Sequence, residues 1–97
     1  MELDQLREQI DEIDDSLVSL FCQRMKVAEQ IAGYKQSHHM PVYVPGRERE
    51  KLMDVAQKAG PEMANYTRVL YSMLFELSRS HQSKISHKQT PLHRRIA

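Results

Sequence analysis

The first third of the chain shows the strongest hydrophobic pattern. Apolar residues recur every three or four positions from Leu3 to Ser37, as they do on one face of an amphipathic helix. The segment contains no proline, and its first glycine is Gly33. The apolar stripe consists of Leu6, Ile10, Ile13, Leu17, Leu20, Phe21, Ala28 and Ile31. The pattern predicts one unbroken helix that ends before Met40-Pro41, because a residue preceding proline favours an extended conformation.

Two cationic side chains interrupt this apolar stripe. Arg24 lies between Leu20 and Ala28, and Lys35 lies one turn beyond Ile31. A buried charge is costly unless a group of opposite charge pairs with it. The two positions therefore need an explanation, and the binding of an anion would supply one.

The rest of the chain predicts two shorter helices. The first covers about residues 47–59 and ends at Gly60-Pro61. Its apolar stripe is Leu52, Val55, Ala56 and Ala59. The second covers about residues 62–84, with a stripe of Tyr66, Leu70, Met73, Leu74 and Leu77. The predicted fold class is all-α, a three-helix protomer with one very long N-terminal helix.

The length of the first helix indicates a dimer. At about 1.5 Å per residue it is roughly 50 Å long, whereas a compact domain of this size has a radius of gyration of about 13 Å. The two shorter helices cannot cover its whole apolar stripe. We therefore expect a second copy of the chain, related by a two-fold axis, to cover the remainder.

Composition narrows the possible functions. The chain has 97 residues and a net charge of +1, which fits a single small domain and gives no reason to expect nucleic acid or membrane binding. Its single cysteine, Cys22, cannot form an internal disulfide and fits a reducing cytoplasm. We expect residues 1–85 to form the helical domain and residues 86–97 a flexible tail or linker remnant.

Seven polar residues on or beside the apolar stripes are candidates for one site. They are Arg7, Arg24, Lys35, Arg47, Glu48, Ser78 and Gln82. Four cations against one carboxylate leave an excess of positive charge that a small dianion would balance. Arginine suits this task because its guanidinium binds carboxylates bidentately. Each residue alone is also compatible with an ordinary surface or helix-end role, and only the combination indicates a site.

Other site chemistries lack support in the sequence. The 5 histidines are scattered, and no Cys/His spacing suits a metal. The 3 glycines occupy unrelated places and form no phosphate-binding loop. No Ser-His-Asp arrangement is evident. We therefore expect neither a metal nor a cofactor.

Four motifs together resemble a known family. They are LREQIDEIDDSLVSLFCQRM near the start, AGYK at the end of the first helix, RERE at the start of the second, and Ser78 with Gln82 in the third. In order and spacing they resemble the all-helical chorismate mutases, which convert chorismate to prephenate. The resemblance covers residues 3–82. It implies an intertwined homodimer in which an arginine of each chain reaches into the other chain's site.

The resemblance also implies how the substrate carboxylates are bound. Arg24 and the partner's Arg7 would clamp them, aided by Ser78. One departure from the family is visible, because some members have an acidic residue where this chain has Val44. The contact which that residue contributes near the substrate hydroxyl is therefore missing, and Glu48 is the main candidate to supply it.

The remaining roles implied by the resemblance concern the reacting atoms. Lys35 and Gln82 would donate hydrogen bonds to the ether oxygen of chorismate. Glu48 would accept a hydrogen bond from the ring hydroxyl, and Arg47 would support it or line the same wall. The reaction is a pericyclic rearrangement, which needs no cofactor, nucleophile or proton transfer.

Two alternatives stay open at this point. Isochorismate-pyruvate lyases resemble these mutases and use a similar cationic pocket, although the pair Arg47-Glu48 favours the mutase. A non-catalytic dimerisation or regulatory module would explain the long amphipathic helix. It would not explain the interruption of the stripe by Arg24 and Lys35.

Overall fold

The computed structural model of the chain describes residues 2–88, with side chains to residue 85. It contains three helices, α1 (Leu3–Ser37), α2 (Pro45–Ala59) and α3 (Ala64–Lys88), and no strand occurs within the described range. The predicted all-α, three-helix architecture is thereby confirmed. Residues 86–88, assigned to the tail from the sequence, continue α3, and residues 89–97 lie outside the described residues.

Local hydrogen bonds define the two ends of α1. At its start the Glu2 backbone N–H donates to Gln5 Oε1 at 3.0 Å. At its end His39 adopts a left-handed conformation with φ of 55°. The Met40 N–H then donates to the Lys35 carbonyl at 2.8 Å, and the His39 N–H to the Gln36 carbonyl at 3.3 Å. This pair of bonds is a Schellman motif, and it ends α1 within the range that the sequence predicts.

The ends of the shorter helices differ from the prediction by a few residues. α2 begins at Pro45 rather than Arg47, because proline lacks the N–H that a first helical turn leaves unpaired and its φ already suits a helix. α3 begins at Ala64 rather than Glu62, since a turn follows Gly60. It also extends to Lys88, four residues beyond the predicted end.

α3 is the central helix of the protomer. Within the described residues it packs against both α1 and α2, which do not pack directly against each other. The buried apolar residues lie where α3 meets its neighbours: Ala28, Ala32, Val55, Ala56 and Phe75. Three of the five are alanines, and such small side chains allow close approach of the helices while burying little apolar area.

The inner face of α3 differs from its predicted apolar stripe. Tyr66, Leu70, Met73 and Leu77 are all at least 40% exposed. The buried face is instead formed by Phe75, Ser78 and Gln82. Hydrophobicity alone does not identify the face of α3 that packs within the protomer, because two of its three buried residues are polar.

The N-terminal half of α1 is uncovered in the single protomer. Its large apolar residues Leu6, Ile10, Ile13, Leu17 and Leu20 are 44–60% exposed, and burial begins only near Ala28. The overall extents of 60 × 28 × 20 Å reflect this protruding helix. No helix among residues 2–88 combines the length and apolar character needed to cross a membrane.

Replacing either of two glycines by alanine is expected to change the free energy of unfolding, in opposite directions. Gly60 has φ of 87° and ψ of 164°, a region that only glycine adopts without strain, so Gly60→Ala is expected to lower the free energy of unfolding by about 1–3 kcal/mol. Gly33 lies inside α1, and a Cβ there would meet no atom within 4 Å. Gly33→Ala is therefore expected to raise that free energy by up to about 1 kcal/mol. Urea unfolding followed by circular dichroism measures both. Equal effects in the same direction would contradict this account.

Candidate active site

A cavity of about 210 Å³ lies between the C-terminal half of α1, the start of α2 and the C-terminal half of α3. Thirteen residues line it. Six of the seven predicted site residues are among them: Arg24, Lys35, Arg47, Glu48, Ser78 and Gln82. The structure therefore brings these six side chains together from three separate elements. Arg7 is the exception.

Helical periodicity explains why the residues of α1 and α3 converge. Arg24, Ala28, Ile31 and Lys35 follow one another at intervals of three and four positions, so they share one face of α1. Ser78 and Gln82 are four residues apart and share the inner face of α3 in the same way. The cation positions that interrupt the apolar stripe of α1 are thus the ones that face the cavity.

Arg24 is held by a neutral oxygen and two aromatic rings. Its Nη1 donates to Ser78 Oγ at 3.1 Å. Its guanidinium carbon lies 5.7 Å from the ring centroids of both Tyr71 and Phe75, close enough for cation–π attraction. Ser78 Oγ also lies 3.9 Å from Met25 Sδ, to which its hydroxyl donates. These contacts orient Arg24 without neutralising its charge.

Lys35 is likewise fixed by an uncharged partner. Its Nζ donates to the Val42 carbonyl at 3.1 Å, in the loop that joins α1 to α2. An ammonium carries three hydrogens, so two remain for other acceptors. Within the described residues the structure records no carboxylate within 4 Å of Arg24 or Lys35. The cavity therefore holds two cations whose charge is not balanced by a neighbouring anion.

Gln82 is buried and anchored to the backbone of α1. Only 7% of it is exposed, and its Nε2 donates to the Ala28 carbonyl at 3.0 Å. An amide nitrogen has two hydrogens, so one remains for a ligand in the cavity. Beside this bond His81 Nε2 lies 2.7 Å from Glu29 Oε1. Both contacts join the same turns of α1 and α3, and together they fix Gln82 relative to α1.

Glu48 has a partner that the sequence did not reveal. Nη1 of Arg79 lies 2.6 Å from Oε1 and 2.5 Å from Oε2 of this carboxylate. This hydrogen bond raises the pKa of Arg79 above its ordinary value, against a smaller opposing effect of burial. The guanidinium of Arg79 also lies 4.7 Å from the ring centroid of Tyr43. Arg79 directly follows Ser78, but only the fold brings it to Glu48, 31 positions earlier.

Arg47 and a further lysine lie at the more open side of the cavity. The Arg47 side chain is 69% exposed and lies 4.0 Å from Glu50. Lys51, which also lines the cavity, lies 3.8 Å from Asp54. A hydrogen bond from Lys58 is the main cause that lowers the pKa of Asp54, and the carboxylate stays charged beside Lys51. Both cations at this side thus have acidic neighbours, unlike Arg24 and Lys35.

Arg7 does not reach the cavity of its own chain. It precedes Arg24 by 17 positions on the same straight element, a separation of about 25 Å along a helix axis. Its side chain is 70% exposed and lies 4.0 Å from Asp4. The role that the sequence resemblance implies for Arg7 therefore requires a second chain.

An apolar wall occupies the remaining positions of the cavity. Val44, the position at which the sequence resemblance implies an acid in some family members, is one of its lining residues. Within the described part of the chain, no cluster of three His, Cys, Asp or Glu side chains could hold a metal ion. What the cavity offers is a set of positioned cations and hydrogen-bond donors with one carboxylate. Such a set can bind a dianion and stabilise negative charge on an oxygen atom.

The sequence matches the family model of chorismate mutase type II over residues 6–83. The chain belongs to the chorismate mutase type II family. The matched range includes every one of the predicted site residues, and the family assignment made from the motifs is thereby confirmed.

Curated relatives agree with this assignment. The chain is 43% identical over 49 residues to the bifunctional chorismate mutase/prephenate dehydratase of Aquifex aeolicus. This match covers 50% of the chain and 14% of the relative. It is 38% identical over 61 residues to the T-protein of Haemophilus influenzae. This match covers 60% of the chain and 16% of the T-protein. It thus spans about one-seventh to one-sixth of the length of these relatives. No solved structure matches the chain.

Proposed function

We propose that the chain catalyses the rearrangement of chorismate to prephenate as a chorismate mutase. The observation that carries the proposal is the cavity beside Glu48, Ser78 and Gln82, in which Arg24 and Lys35 have no carboxylate partner among the described side chains. The membership of the chorismate mutase type II family supports the same reaction.

The two carboxylates of chorismate would replace the missing counter-charges. Arg24, oriented by Ser78 and by two aromatic rings, would bind one carboxylate and keep its guanidinium in place as it does so. The partner's Arg7 would enter the cavity and bind the substrate from the opposite side. Arg47, at the open side, would contribute to the same cationic wall. Binding in this way would hold a flexible dianion in its compact, reactive shape.

The chemical step needs stabilisation of one oxygen atom. As the C–O bond breaks and the C–C bond forms, negative charge develops on the ether oxygen. Lys35 and Gln82 would each donate a remaining hydrogen to it, since their other contacts, to the Val42 and Ala28 carbonyls, already fix them. Donors that are in place before the reaction need no reorganisation during it. Glu48 would accept a hydrogen bond from the ring hydroxyl.

We further propose that the working unit is an intertwined homodimer. The exposed apolar half of α1 and the exposed outer face of α3, with Leu70 and Met73, would be buried between two copies. An apolar groove bordered by Leu17, Leu20 and Leu74 reaches Arg24 and joins this surface to the cavity. A reducing cytoplasm is the proposed location, because the chain has a single cysteine.

The direct test is an assay of the purified chain with chorismate. Loss of chorismate absorbance and identification of prephenate as the product would support the proposal. Isochorismate is assayed in parallel, because a lyase on this fold would release pyruvate from it. Turnover of isochorismate without turnover of chorismate would show that the chain is an isochorismate-pyruvate lyase rather than a chorismate mutase. No turnover of either substrate would favour a non-catalytic dimerisation module.

Lys35→Ala is expected to lower kcat by about a hundredfold or more, because the loss of one preorganised donor to a developing oxyanion has this cost. Lys26→Ala is the matched control, since Lys26 is an exposed lysine of the same helix that does not line the cavity. Steady-state kinetics with chorismate measures both variants. Activity of Lys35→Ala within a few-fold of the parent would remove Lys35 from the reaction.

Gln82→Glu is expected to make the reaction depend on acid. The amide of Gln82 donates at any pH, whereas a carboxyl donates only when it is protonated. The rate of the variant should therefore be highest at low pH and fall as the pH rises through the pKa of the new carboxyl. The parent and Gln57→Glu, altered at an exposed site outside the cavity, should lack this fall. Identical pH profiles for all three proteins would argue against the role of Gln82.

Mixing two inactive variants tests the shared site. If Arg7 acts across the interface, a heterodimer of Arg7→Ala and Arg24→Ala chains contains one site with both lesions and one site with neither. Random assortment of equal amounts should then restore about a quarter of the parent activity per chain. Co-expression followed by kinetics measures the recovery. Activity no greater than that of the separate variants would show that Arg7 and Arg24 do not serve one site from two chains.

A further inference from the structure

Arg79 joins three elements that border the cavity. It extends from α3, contacts the carboxylate of Glu48 on α2, and lies over the ring of Tyr43 in the loop between α1 and α2. We propose that Arg79 is a positioning residue, which sets the carboxylate of Glu48 and the adjoining loop for the reaction. This inference rests on the proposed chorismate mutase function and assigns a role to a residue that the motifs did not select.

The contact with Arg79 can orient the carboxylate of Glu48 without blocking its ability to accept a further hydrogen bond. A single nitrogen, Nη1, approaches both carboxylate oxygens, at 2.6 and 2.5 Å. Two carboxylate oxygens offer about four lone-pair sites, so Arg79 leaves accepting capacity on each of them. The carboxylate is therefore fixed in direction while it can still accept a hydrogen bond from a substrate hydroxyl. Val44 provides no second acid that could take over this task.

The contact with Tyr43 extends the effect of Arg79 to Lys35. Tyr43 directly follows Val42, whose carbonyl accepts the hydrogen bond from Lys35 Nζ at 3.1 Å. The guanidinium, 4.7 Å from the ring centroid, is at cation–π distance. A loop that moved away from Arg79 would carry the Val42 carbonyl with it. Arg79 is thus placed to affect Glu48 and Lys35, two of the three groups that the proposed mechanism sets against the reacting atoms.

This bridge lies where the fold holds α2 and the loop against α3. α1 and α2 do not pack directly against each other in the described part of the chain, so their separation across the cavity is set through α3 and the loop. An ordinary surface ion pair contributes little, with a median near 0–1 kcal/mol. The side chains of Arg79 and Glu48 are only 31% and 25% exposed, however, and both line the cavity.

Arg79→Met is expected to lower kcat for chorismate by roughly tenfold to a hundredfold, because a displacement of about 1 Å in a reacting group has such a cost. The value of KM should stay within a few-fold of the parent, since Arg79 does not contact the substrate carboxylates in the proposed arrangement. Arg79→Lys retains the charge and should recover part of the loss. Arg68→Met, an exposed arginine of the same helix bonded to Asn65, is the matched control and should leave both constants unchanged.

A double-variant cycle separates positioning from a purely structural role. If Arg79 acts through Glu48, most of the effect of Arg79→Met should disappear in a Glu48→Ala background. An undiminished effect in that background would overturn the positioning of Glu48 by Arg79. A rise in KM with unchanged kcat would overturn the proposal as a whole, because it would mean direct substrate binding. Circular dichroism of each variant shows whether it is folded. If Arg79→Met does not fold, the same cycle is performed with Arg79→Lys, and its additivity with Glu48→Ala decides the question.

The kinetic experiments distinguish a failure of this inference from a failure of the proposed function. A parent protein without chorismate turnover contradicts the proposed function itself. An active parent whose Arg79 variants keep the parent kcat contradicts only the role of Arg79.

Discussion

The contact between the C-terminal half of α1 and the C-terminal half of α3 is the one on which the rest of the structure depends. Small buried residues, Ala28 and Ala32, allow the two helices to approach. Three polar contacts then fix their register: Arg24 with Ser78, Glu29 with His81, and the Ala28 carbonyl with Gln82. Because α2 packs on α3 and not on α1, a space remains beside this contact. The cavity is that space.

The charged side chains inside the cavity are balanced to different degrees. The carboxylate of Glu48 pairs with Arg79, and that of Asp54 lies 3.8 Å from Lys51 and 2.9 Å from Lys58. Arg24 and Lys35 are held by a hydroxyl and a backbone carbonyl, which orient a cation without cancelling it. Within the described residues, these two cations therefore keep their charge available to an anionic ligand.

Much of this could be predicted from the sequence, for identifiable reasons. The helices and six residues of the cavity follow from periodicity, from its interruption by Arg24 and Lys35, and from the family motifs. Arg79 could not be found in this way, since its importance depends on a carboxylate distant in the chain. Hydrophobicity does not reveal the face of α3 that packs within the protomer, because its side chains at Ser78 and Gln82 are polar. The helix ends shifted where Pro45 and Gly60 impose backbone preferences that hydrophobicity does not report.

The unbroken course of α1 has a consequence for how this chain can vary. Arg7, Arg24 and Lys35 lie on one continuous helix, so their mutual spacing and orientation are a matter of residue count. A single insertion between Arg7 and Arg24 would rotate one relative to the other by about 100° and separate them by about 1.5 Å more. Substitutions on the solvent face leave this geometry intact, whereas a change of length does not. The number of residues in α1 therefore fixes how these three cations are placed relative to one another.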